Sequence, residues 1–171
     1  QGTRLASGCR RSVSSHCTIM RRHPRAARIQ VIQVSLMTSP DEFRLLGSIA
    51  DIAPQDWDAL LPPAPTPCLH HAYLHALEAS GCVGEASGWT PRHATLWTDG
   101  RLAAAMPLYL KTHSWGEYVL DWAWAEAYQR HGLDYYPKWL CAIPVTPVPG
   151  PRVLGQDPRA RERLMAGVSR L

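Results

Sequence analysis

The chain has 171 residues, of which 46% are hydrophobic, enough for one domain with a real core but not for two. No apolar run approaches the roughly 18–20 residues of a membrane span, so we expect none. The formal net charge is +4, but residues 41–171 hold eleven basic against fourteen acidic side chains, a net charge of −3. The positive charge therefore belongs to the N-terminal stretch, and a nucleic-acid-binding body is not indicated.

The N-terminal stretch, residues 1–36, is rich in arginine and serine and contains no acidic residue. This composition is typical of a transit-like arm, of a nucleic-acid-binding arm, or of a non-native extension ahead of a later start. We favour the extension, because globular composition begins at Met37 with MTSPDEFRLLGSI. We expect disorder over residues 1–28, while the segment IQVIQVSLM could pair as an additional edge strand.

The sequence lacks the common catalytic signatures. There is no GxSxG, no GxxxxGK[ST] and no GxGxxG between a strand and a helix, which removes the usual hydrolase, P-loop and dinucleotide-binding classes. The five cysteines are odd in number and widely spaced, without a CxxC pair. This pattern favours free thiols in a reducing compartment, so we expect a cytoplasmic protein. Cys141 lies in an apolar run, where a thiol is more often inert packing than a nucleophile.

The first elements of the body are a strand and two helices. Residues 43–50 predict a strand interrupted by Gly47, and Pro54 opens a short helix with acidic residues in its first turn. Residues 68–81 predict a longer helix that Gly81 closes. Its apolar stripe at spacings of three and four residues consists of Leu69, Ala72, Tyr73, Ala76 and Leu77.

A hairpin follows. Residues 92–98 alternate between apolar and polar, the pair Asp99-Gly100 is a strong signal for a tight turn, and residues 101–112 continue as a long second strand. Pro107 within that strand predicts a bulge or an unpaired edge position.

The remaining elements are predicted as strand, helix, strand and helix. Residues 116–120 predict a third strand, and Asp121 predicts the cap of a helix that ends at Gly132. A buried strand then covers 138–143, and Asp157 before Pro158 starts the last helix. The predicted core residues of the two strands are Val119, Leu120, Leu140 and Ile143. This order indicates a mixed α/β sheet with helices packed on it.

Half of the chain's fourteen aromatic side chains lie within residues 116–152, interleaved with charged ones. Such a stretch is either an aromatic core element or the wall of a site for a polar ligand. Trp124 and Tyr128 share one face of the predicted helix, and Glu126 and Arg130 share another. Packing of the aromatics on the sheet is the simpler interpretation, and a pocket wall is the alternative.

His71 and His75 are four residues apart, a spacing that lets two imidazoles share a metal ion. However, no glutamate lies between them and no third ligand follows. An ordinary hydrogen-bonded or surface pair is the simpler interpretation, and we expect no metal.

The stretch HSWGEYVLDWAWAEAYQRHGLDYYPKWLCAIPVTPVPGPRVL resembles the signature of the FemAB-like proteins, often labelled peptidoglycan biosynthesis proteins or N-acyltransferases of the GNAT superfamily. LHHAYLHALEASGCVG and GRLAAAMPLYLKTHS are similar to the motifs that precede it, so the resemblance covers about residues 43–155. It implies a GNAT-like mixed α/β fold. Because family members are about twice as long, it also implies that residues 37–171 are the N-terminal half of such a domain.

The resemblance further implies transfer of an acyl or aminoacyl group from acyl-CoA or aminoacyl-tRNA to an amine, in cell-wall (peptidoglycan) metabolism. In this chemistry the amine attacks a thioester or ester carbonyl, and the protein supplies positioning, a base and an oxyanion donor. No RxxGxG-type pyrophosphate loop is present. We therefore expect an incomplete donor site, no activity of this chain alone, and no nucleic-acid partner other than a tRNA-borne donor.

We expect the acceptor pocket to be lined by the aromatic stretch and the helix before it, although no catalytic residue can be assigned. The predicted substrate-binding residues are His71, Asp121, Trp124, Tyr128, Tyr135, Tyr136 and Lys138. The alternative function is a non-catalytic module that binds a glycan or a partner protein through the same aromatic surface. An incomplete sheet also predicts an exposed apolar surface or strand edge, and hence self-association.

Overall fold

The structure, a computed structural model, describes residues 17–19 and 41–171. The strands are β1 (Cys17–Ile19), β2 (Asp41–Leu46), β3 (Trp89–Pro91), β4 (His93–Thr98), β5 (Arg101–Met106), β6 (Leu108–Lys111) and β7 (Lys138–Cys141). The α-helices are α1 (Pro54–Asp58), α2 (His71–Ala79), α3 (Trp122–Arg130) and α4 (Pro158–Val168). The predicted α/β class is therefore confirmed.

One long hairpin connects two small sheets. Asp99 and Gly100, with φ of 50° and 74°, form the tight turn that the Asp-Gly pair predicts. β4 pairs with β5 next to this turn, and β3 pairs with β6 further along the same two stretches of chain. Pro107 separates β5 from β6, because a residue without an N–H interrupts the hydrogen-bond ladder. The predicted single strand over 101–112 is thus two strands, one in each sheet.

All named strand pairs in the described residues are antiparallel, and the sheets have the orders β2-β4-β5 and β1-β7-β6-β3. β2 ends at Leu46, earlier than the predicted 43–50. The chain leaves the sheet there because Ser48 caps a short 3-10 helix, accepting a hydrogen bond from the Ala50 N–H.

β1 is the part of the N-terminal stretch that the structure describes, and it pairs with β7. The other residues of 1–40 lie outside the described residues. They include most of the segment that we predict to be disordered, 1–28, and the candidate edge strand at 29–37.

α4 covers one face of the sheets. Asp157 accepts a hydrogen bond from the Arg159 N–H, which is the predicted cap. Leu164 and Val168 are fully buried and pack in one cluster with Phe43 of β2. The helix backbone also approaches β2 closely, since a Cβ added at Gly167 would lie 2.5 Å from the Phe43 ring.

The apolar stripe predicted for α2 is buried only in part. Leu69 is buried and Tyr73 and Leu77 pack against the core, whereas Ala72 and Ala76 are exposed. The fully packed residues of the helix are His71 and Leu74. Leu74 offers more apolar surface than the two alanines, and the His71 Nε2 atom lies 2.9 Å from the Ile49 carbonyl oxygen. The apolar area of Leu74 and the buried hydrogen bond of His71 therefore determine which face of α2 is turned towards the core.

Residues 116–120 form turns and bends, so the predicted third strand is wrong. Val119 and Leu120 are 62% and 45% exposed, and their predicted place in the core is wrong as well. Leu140 and Ile143 are buried, as predicted. The reason for the missing strand is that β6 pairs directly with β7, whose other edge is occupied by β1.

Candidate functional site

The chain has two lysines, Lys111 and Lys138, and they face each other across β6 and β7. Both are buried, with 0% and 2% of their surface exposed. Two like charges directly opposite in a sheet repel each other, and burial adds a desolvation cost for each. This arrangement requires compensating acceptors close by.

Lys138 is held by groups of residues 112–121, here called the 112–121 loop. Its Nζ donates hydrogen bonds to Glu117 Oε2 at 2.8 Å, to Ser114 Oγ at 3.2 Å and to Asp121 Oδ2. These acceptors match the three N–H donors of an ammonium group. Lys138 therefore forms a buried ion pair that joins the end of β7 to the loop.

The Asp121 carboxylate collects most of the polar groups around it. It accepts hydrogen bonds from the Ser114 and Tyr135 hydroxyls as well as from Lys138. The Tyr136 hydroxyl in turn lies 2.5 Å from Ser114 Oγ. Burial by itself would raise the pKa of Asp121, but the hydrogen bonds from Lys138, Ser114 and Tyr135 outweigh it, so its pKa lies below the ordinary value. Asp121 is thus ionised at neutral pH.

Asp121 also occupies the N-cap position of α3, as predicted, yet its side chain makes no hydrogen bond to the helix. A capping bond contributes about 1 kcal/mol. Hydrogen bonds in which one partner is ionised are roughly twice as strong as neutral ones, and the cluster gives this carboxylate three of them. The Asp121 carboxylate therefore bonds to the groups of the cluster and not to the N–H groups at the start of α3.

Tyr135 is the aromatic centre of the cluster. Burial, together with the hydrogen bond to Asp121, raises the pKa of Tyr135 well above its ordinary value, so the phenol remains a donor. The rings of Tyr128 and Tyr136 lie edge-on to it, with centroids 5.2 Å and 5.0 Å away. The three rings form an aromatic side wall for the charged groups.

Glu117 differs from Asp121 because one of its oxygens is unbound. Oε2 accepts from Lys138, while Oε1 is buried and has no hydrogen-bond partner in the part of the chain that the structure describes. The side chain as a whole is 8% exposed. Burial raises the pKa of Glu117, and the hydrogen bond from Lys138 offsets this only in part.

Lys111 has a different environment from its cross-strand partner. Its Nζ donates to the Trp115 carbonyl at 2.9 Å and lies 4.0 Å from the centre of the Trp89 ring, a cation–π contact. Burial lowers the pKa of Lys111 to about 8, against the opposing effect of Glu117. The Trp89 indole N–H donates to the same Trp115 carbonyl at 3.2 Å, so this one carbonyl connects the loop to the sheet twice.

An exposed apolar surface adjoins the cluster along the chain. We call it the aromatic surface; its residues are Trp115, Tyr118, Val119, Leu120, Trp122 and Trp124. The rings of Trp115 and Trp122 contact each other, with centroids 5.2 Å apart. No residue of α3 is buried and Trp124 is 63% exposed, so the interpretation that Trp124 packs on the sheet is wrong. Large exposed apolar patches are typical of interaction sites.

The predicted site residues divide into three groups. Asp121, Tyr135, Tyr136 and Lys138 meet in the cluster, and Tyr128 contacts it through the Tyr135 ring. Trp124 belongs to the aromatic surface, while His71 is elsewhere, bonded to Ile49 and stacked on His75 with centroids 5.9 Å apart. No group of three or more possible metal ligands occurs in the described ranges. A role of these residues in substrate binding stays a prediction.

Sequence reasoning missed Lys111, Ser114 and Glu117. Lys111 has a usable signal, because it ends the apolar segment LYLK just as Lys138 begins KWLC, and a lysine in a buried strand needs a partner. Ser114 and Glu117 lie next to or within a segment that was expected to be a strand, and no local pattern distinguishes them.

A second polar group ties α2 to the sheet. Glu78 Oε1 lies 2.8 Å from the buried His93 Nε2, and Glu78 Oε2 accepts from Ser48 Oγ at 2.7 Å and from the Ile49 N–H at 3.0 Å. Glu78 also lines an open cleft of about 440 Å³. Burial would raise the pKa of Glu78, but the hydrogen bonds from His93 and Ser48 outweigh it and lower the pKa. With both oxygens bonded within the fold, we interpret this group as structural.

Together, the fold and the buried cluster define an α/β protein with a charged site beside an exposed aromatic surface. Residues 48–171 match the model of the FemAB-like family, described as peptidoglycan biosynthesis/recognition. Since the match covers more than half of the chain, the chain belongs to this family, and the resemblance seen in its motifs is confirmed. No curated protein and no solved structure matches the chain.

Family membership indicates a role in peptidoglycan biosynthesis or recognition. The matched range includes both lysines and the whole 112–121 loop. The GNAT superfamily placement stays a prediction. In the described ranges no helix has the length and apolar character needed to cross a membrane.

Proposed function

We propose that the protein is an N-acyltransferase, which transfers an acyl or aminoacyl group to an amine acceptor in peptidoglycan metabolism. The observation that carries the proposal is the buried cluster of lysines, carboxylates and hydroxyls beside the aromatic surface. Desolvated charges of this kind are characteristic of functional sites, where they are retained despite their cost. The resemblance to the family supports acyl-CoA or aminoacyl-tRNA as the donor, and the cytoplasm as the compartment in which both occur.

The groups of the cluster match what the reaction needs. A C–N bond forms as the C–S bond of a thioester or the C–O bond of an ester breaks, and the proton lost by the amine passes to the leaving group through a base. Glu117 and Asp121 are the carboxylates available for this proton. The hydroxyls of Ser114 and Tyr135 and the Lys138 ammonium group donate to these carboxylates, and would hold them ionised and in place during the reaction.

Because this chain alone is expected to be inactive, the direct test is to mix the purified full-length protein with acyl-CoA or aminoacyl-tRNA and a panel of amine-bearing peptidoglycan precursors, and to follow the acceptor mass by mass spectrometry. We expect a mass gain equal to the transferred group. Asp121→Asn keeps the shape of the side chain but removes its charge, and should slow transfer about 100-fold, the usual scale for loss of one electrostatic group. Gln129→Ala, at an exposed position of α3, is the control and should have no effect. No turnover with any donor and acceptor pair would contradict the proposal.

The exposed tryptophans favour one second candidate, a non-catalytic module that binds cell-wall glycan or a partner protein. Trp115, Trp122 and Trp124 offer flat apolar faces of the kind that bind polar ring compounds by stacking. Calorimetry distinguishes the two functions. Binding of cell-wall fragments that Trp124→Ala weakens, together with no affinity for acyl-CoA or aminoacyl-tRNA, would favour the module over the enzyme.

A further inference from the structure

We infer that the aromatic surface binds a phospholipid bilayer at the level of the lipid headgroups, and so docks the protein on a membrane without crossing it. The inference goes beyond the proposed function and does not depend on it, because it concerns side chains outside the buried cluster. Residues 41–171 carry a net charge of −3 and gain nothing from an anionic surface, so the partner is a zwitterionic bilayer and the contact is apolar.

The first argument comes from which side chains of residues 115–124 face the solvent. The two acidic residues of this stretch, Glu117 and Asp121, have side chains that are only 8% and 15% exposed, and both bond to Lys138. The side chains of the aromatic surface lie between and beside them, are exposed and carry no charge. Charged side chains are normally the exposed ones, so this stretch has the reverse arrangement. Contact with an apolar partner would remove the aromatic surface from water.

The second argument comes from the residue types of the aromatic surface. Most of its members are tryptophan or tyrosine, whose rings combine an apolar body with a polar N–H or O–H group. These two residue types are enriched where a membrane meets water. Val119 and Leu120 lie between the rings, and aliphatic side chains of this kind suit the acyl chains just below the headgroups. The combination is typical of a segment that lies in a membrane interface.

The third argument comes from shape. Each member of the aromatic surface is at least 45% exposed, and α3 has no buried residue, so these side chains protrude from the protein. The open cleft that Glu78 lines contains none of them. A small ligand needs a concave site and a folded partner needs a complementary surface, whereas a fluid bilayer adapts to a protruding group. The protruding shape therefore favours a bilayer over a glycan or a protein.

The fourth argument comes from the order of residues along α3. Its first turn carries Trp122 and Trp124, and its second half carries the exposed polar residues Glu126, Gln129 and Arg130. Helices that lie in a membrane interface keep their apolar residues in lipid and their charged residues in water. The helix has 9 residues, far fewer than the roughly 20 that cross a bilayer. We therefore expect the start of α3 to enter the headgroup region and its end to remain in water.

The inference is tested with vesicles of phosphatidylcholine alone, in a buffer of high ionic strength, which excludes ionic binding by the arginine-rich N-terminal stretch. The protein is kept at concentrations where light scattering shows a monomer, so that self-association does not cover the aromatic surface. We expect it to float with the vesicles in a density gradient. Trp124→Ser should lower the partition coefficient at least about 10-fold, the scale for one large side chain removed from water. Gln129→Ser, on the polar half of α3, should leave it unchanged.

A measurement on the unaltered protein guards against a variant that fails to fold. Tryptophan fluorescence is recorded with phosphatidylcholine that carries bromine, a quencher, either near the headgroup end or near the methyl end of its acyl chains. We expect the bromine near the headgroup end to quench more strongly, because tryptophan rings lie at the headgroup level. Quenching that is equal from both positions, or stronger from the methyl end, would overturn the inference.

Three other outcomes would also overturn it. One is equal partitioning of the unaltered protein and Trp124→Ser. The second is binding only to vesicles that contain anionic phosphatidylglycerol, lost at high ionic strength, which would assign the contact to the arginine-rich stretch. The third is binding of cell-wall fragments without any partitioning into vesicles, which would assign the aromatic surface to a glycan.

Discussion

Lys111 and Lys138 show how neighbours give the same residue type different properties. Lys138 donates to a serine and two carboxylates, whereas Lys111 has a backbone carbonyl and the face of Trp89. A carbonyl and a ring stabilise an ammonium group less than carboxylates do. Burial therefore lowers the pKa of Lys111 to about 8, below that of an ordinary lysine.

The lowered Lys111 pKa predicts a pH-dependent stability. Between the folded value of about 8 and the unfolded value of 10.5, the unfolded chain holds more protons at this residue than the folded chain. The free energy of unfolding should therefore rise with pH across this range, while below it the cost of burying the charge is constant. Lys111→Met, which fills the space with an apolar chain, should abolish the Lys111 contribution to that rise. Urea denaturation across the range measures it.

Arg101→Met is the matched control for this prediction, because Arg101 is an exposed basic residue near the hairpin turn. It should leave the pH profile of the protein unchanged. A profile that is the same for Lys111→Met and the unaltered protein would show that Lys111 does not titrate in this range.

At the scale of secondary-structure elements, single side chains hold the elements in place. Glu78 joins α2 to β4 through His93 and to the start of the 3-10 helix at Ile49–Asp51 through Ser48 and Ile49. α1 is fixed in a similar way, because the Trp57 indole N–H donates to the Leu69 carbonyl at 2.9 Å. Short helices depend on such tertiary contacts, because their own hydrogen bonds do not stabilise them.

Glu78→Gln should lower the free energy of unfolding by about 1–3 kcal/mol at neutral pH, because it leaves buried hydrogen-bond partners mismatched. The Glu78 pKa is lowered in the folded state, so its ionised form contributes stability above the unfolded pKa, and that contribution is lost as the pH falls through the folded pKa. The cost of the substitution should thus shrink below about pH 4. Urea denaturation at neutral and acidic pH tests this, with Glu85→Gln at the edge of the same cleft as the control. A cost that does not change with pH would contradict the ionic role of Glu78.

For the whole molecule, the main feature is that several large apolar side chains within residues 115–124 are exposed. The aromatic surface joins rings and aliphatic side chains from the 112–121 loop and the start of α3. Contact between two such surfaces removes apolar area from water, which favours association by roughly 25 cal/mol per Å² before the entropy cost of binding.

We therefore propose that the protein self-associates at high concentration through the aromatic surface. Trp124→Ser should shift the equilibrium towards monomer, as measured by light scattering over a concentration series. Gln55→Ser, at an exposed position of α1, should leave it unchanged. A monomer at every concentration, or equal association of the Trp124→Ser variant, would contradict this prediction.

Much of the fold follows from local chemistry that the sequence displays. The Asp99-Gly100 turn, the Asp157 cap and the buried strand at Lys138–Cys141 are where the sequence predicts them. Two of the errors, the strand at 116–120 and the packing of Trp124 on the sheet, share a cause. In both cases the local pattern is compatible with burial. Whether the segment is buried depends on a partner that is distant in the sequence, and a local pattern does not identify that partner.

The sequence by itself determined the family, the charge balance and most of the elements, because motifs, caps and turns depend on neighbouring residues. Only the tertiary structure decided the site. Pairing of β6 with β7 places Lys111 beside Lys138. The 112–121 loop, which does not join the sheet, then brings Glu117 and Asp121 into contact with Lys138. Buried like charges need opposite charges nearby, and which residues supply those charges is decided by the path of the chain in space.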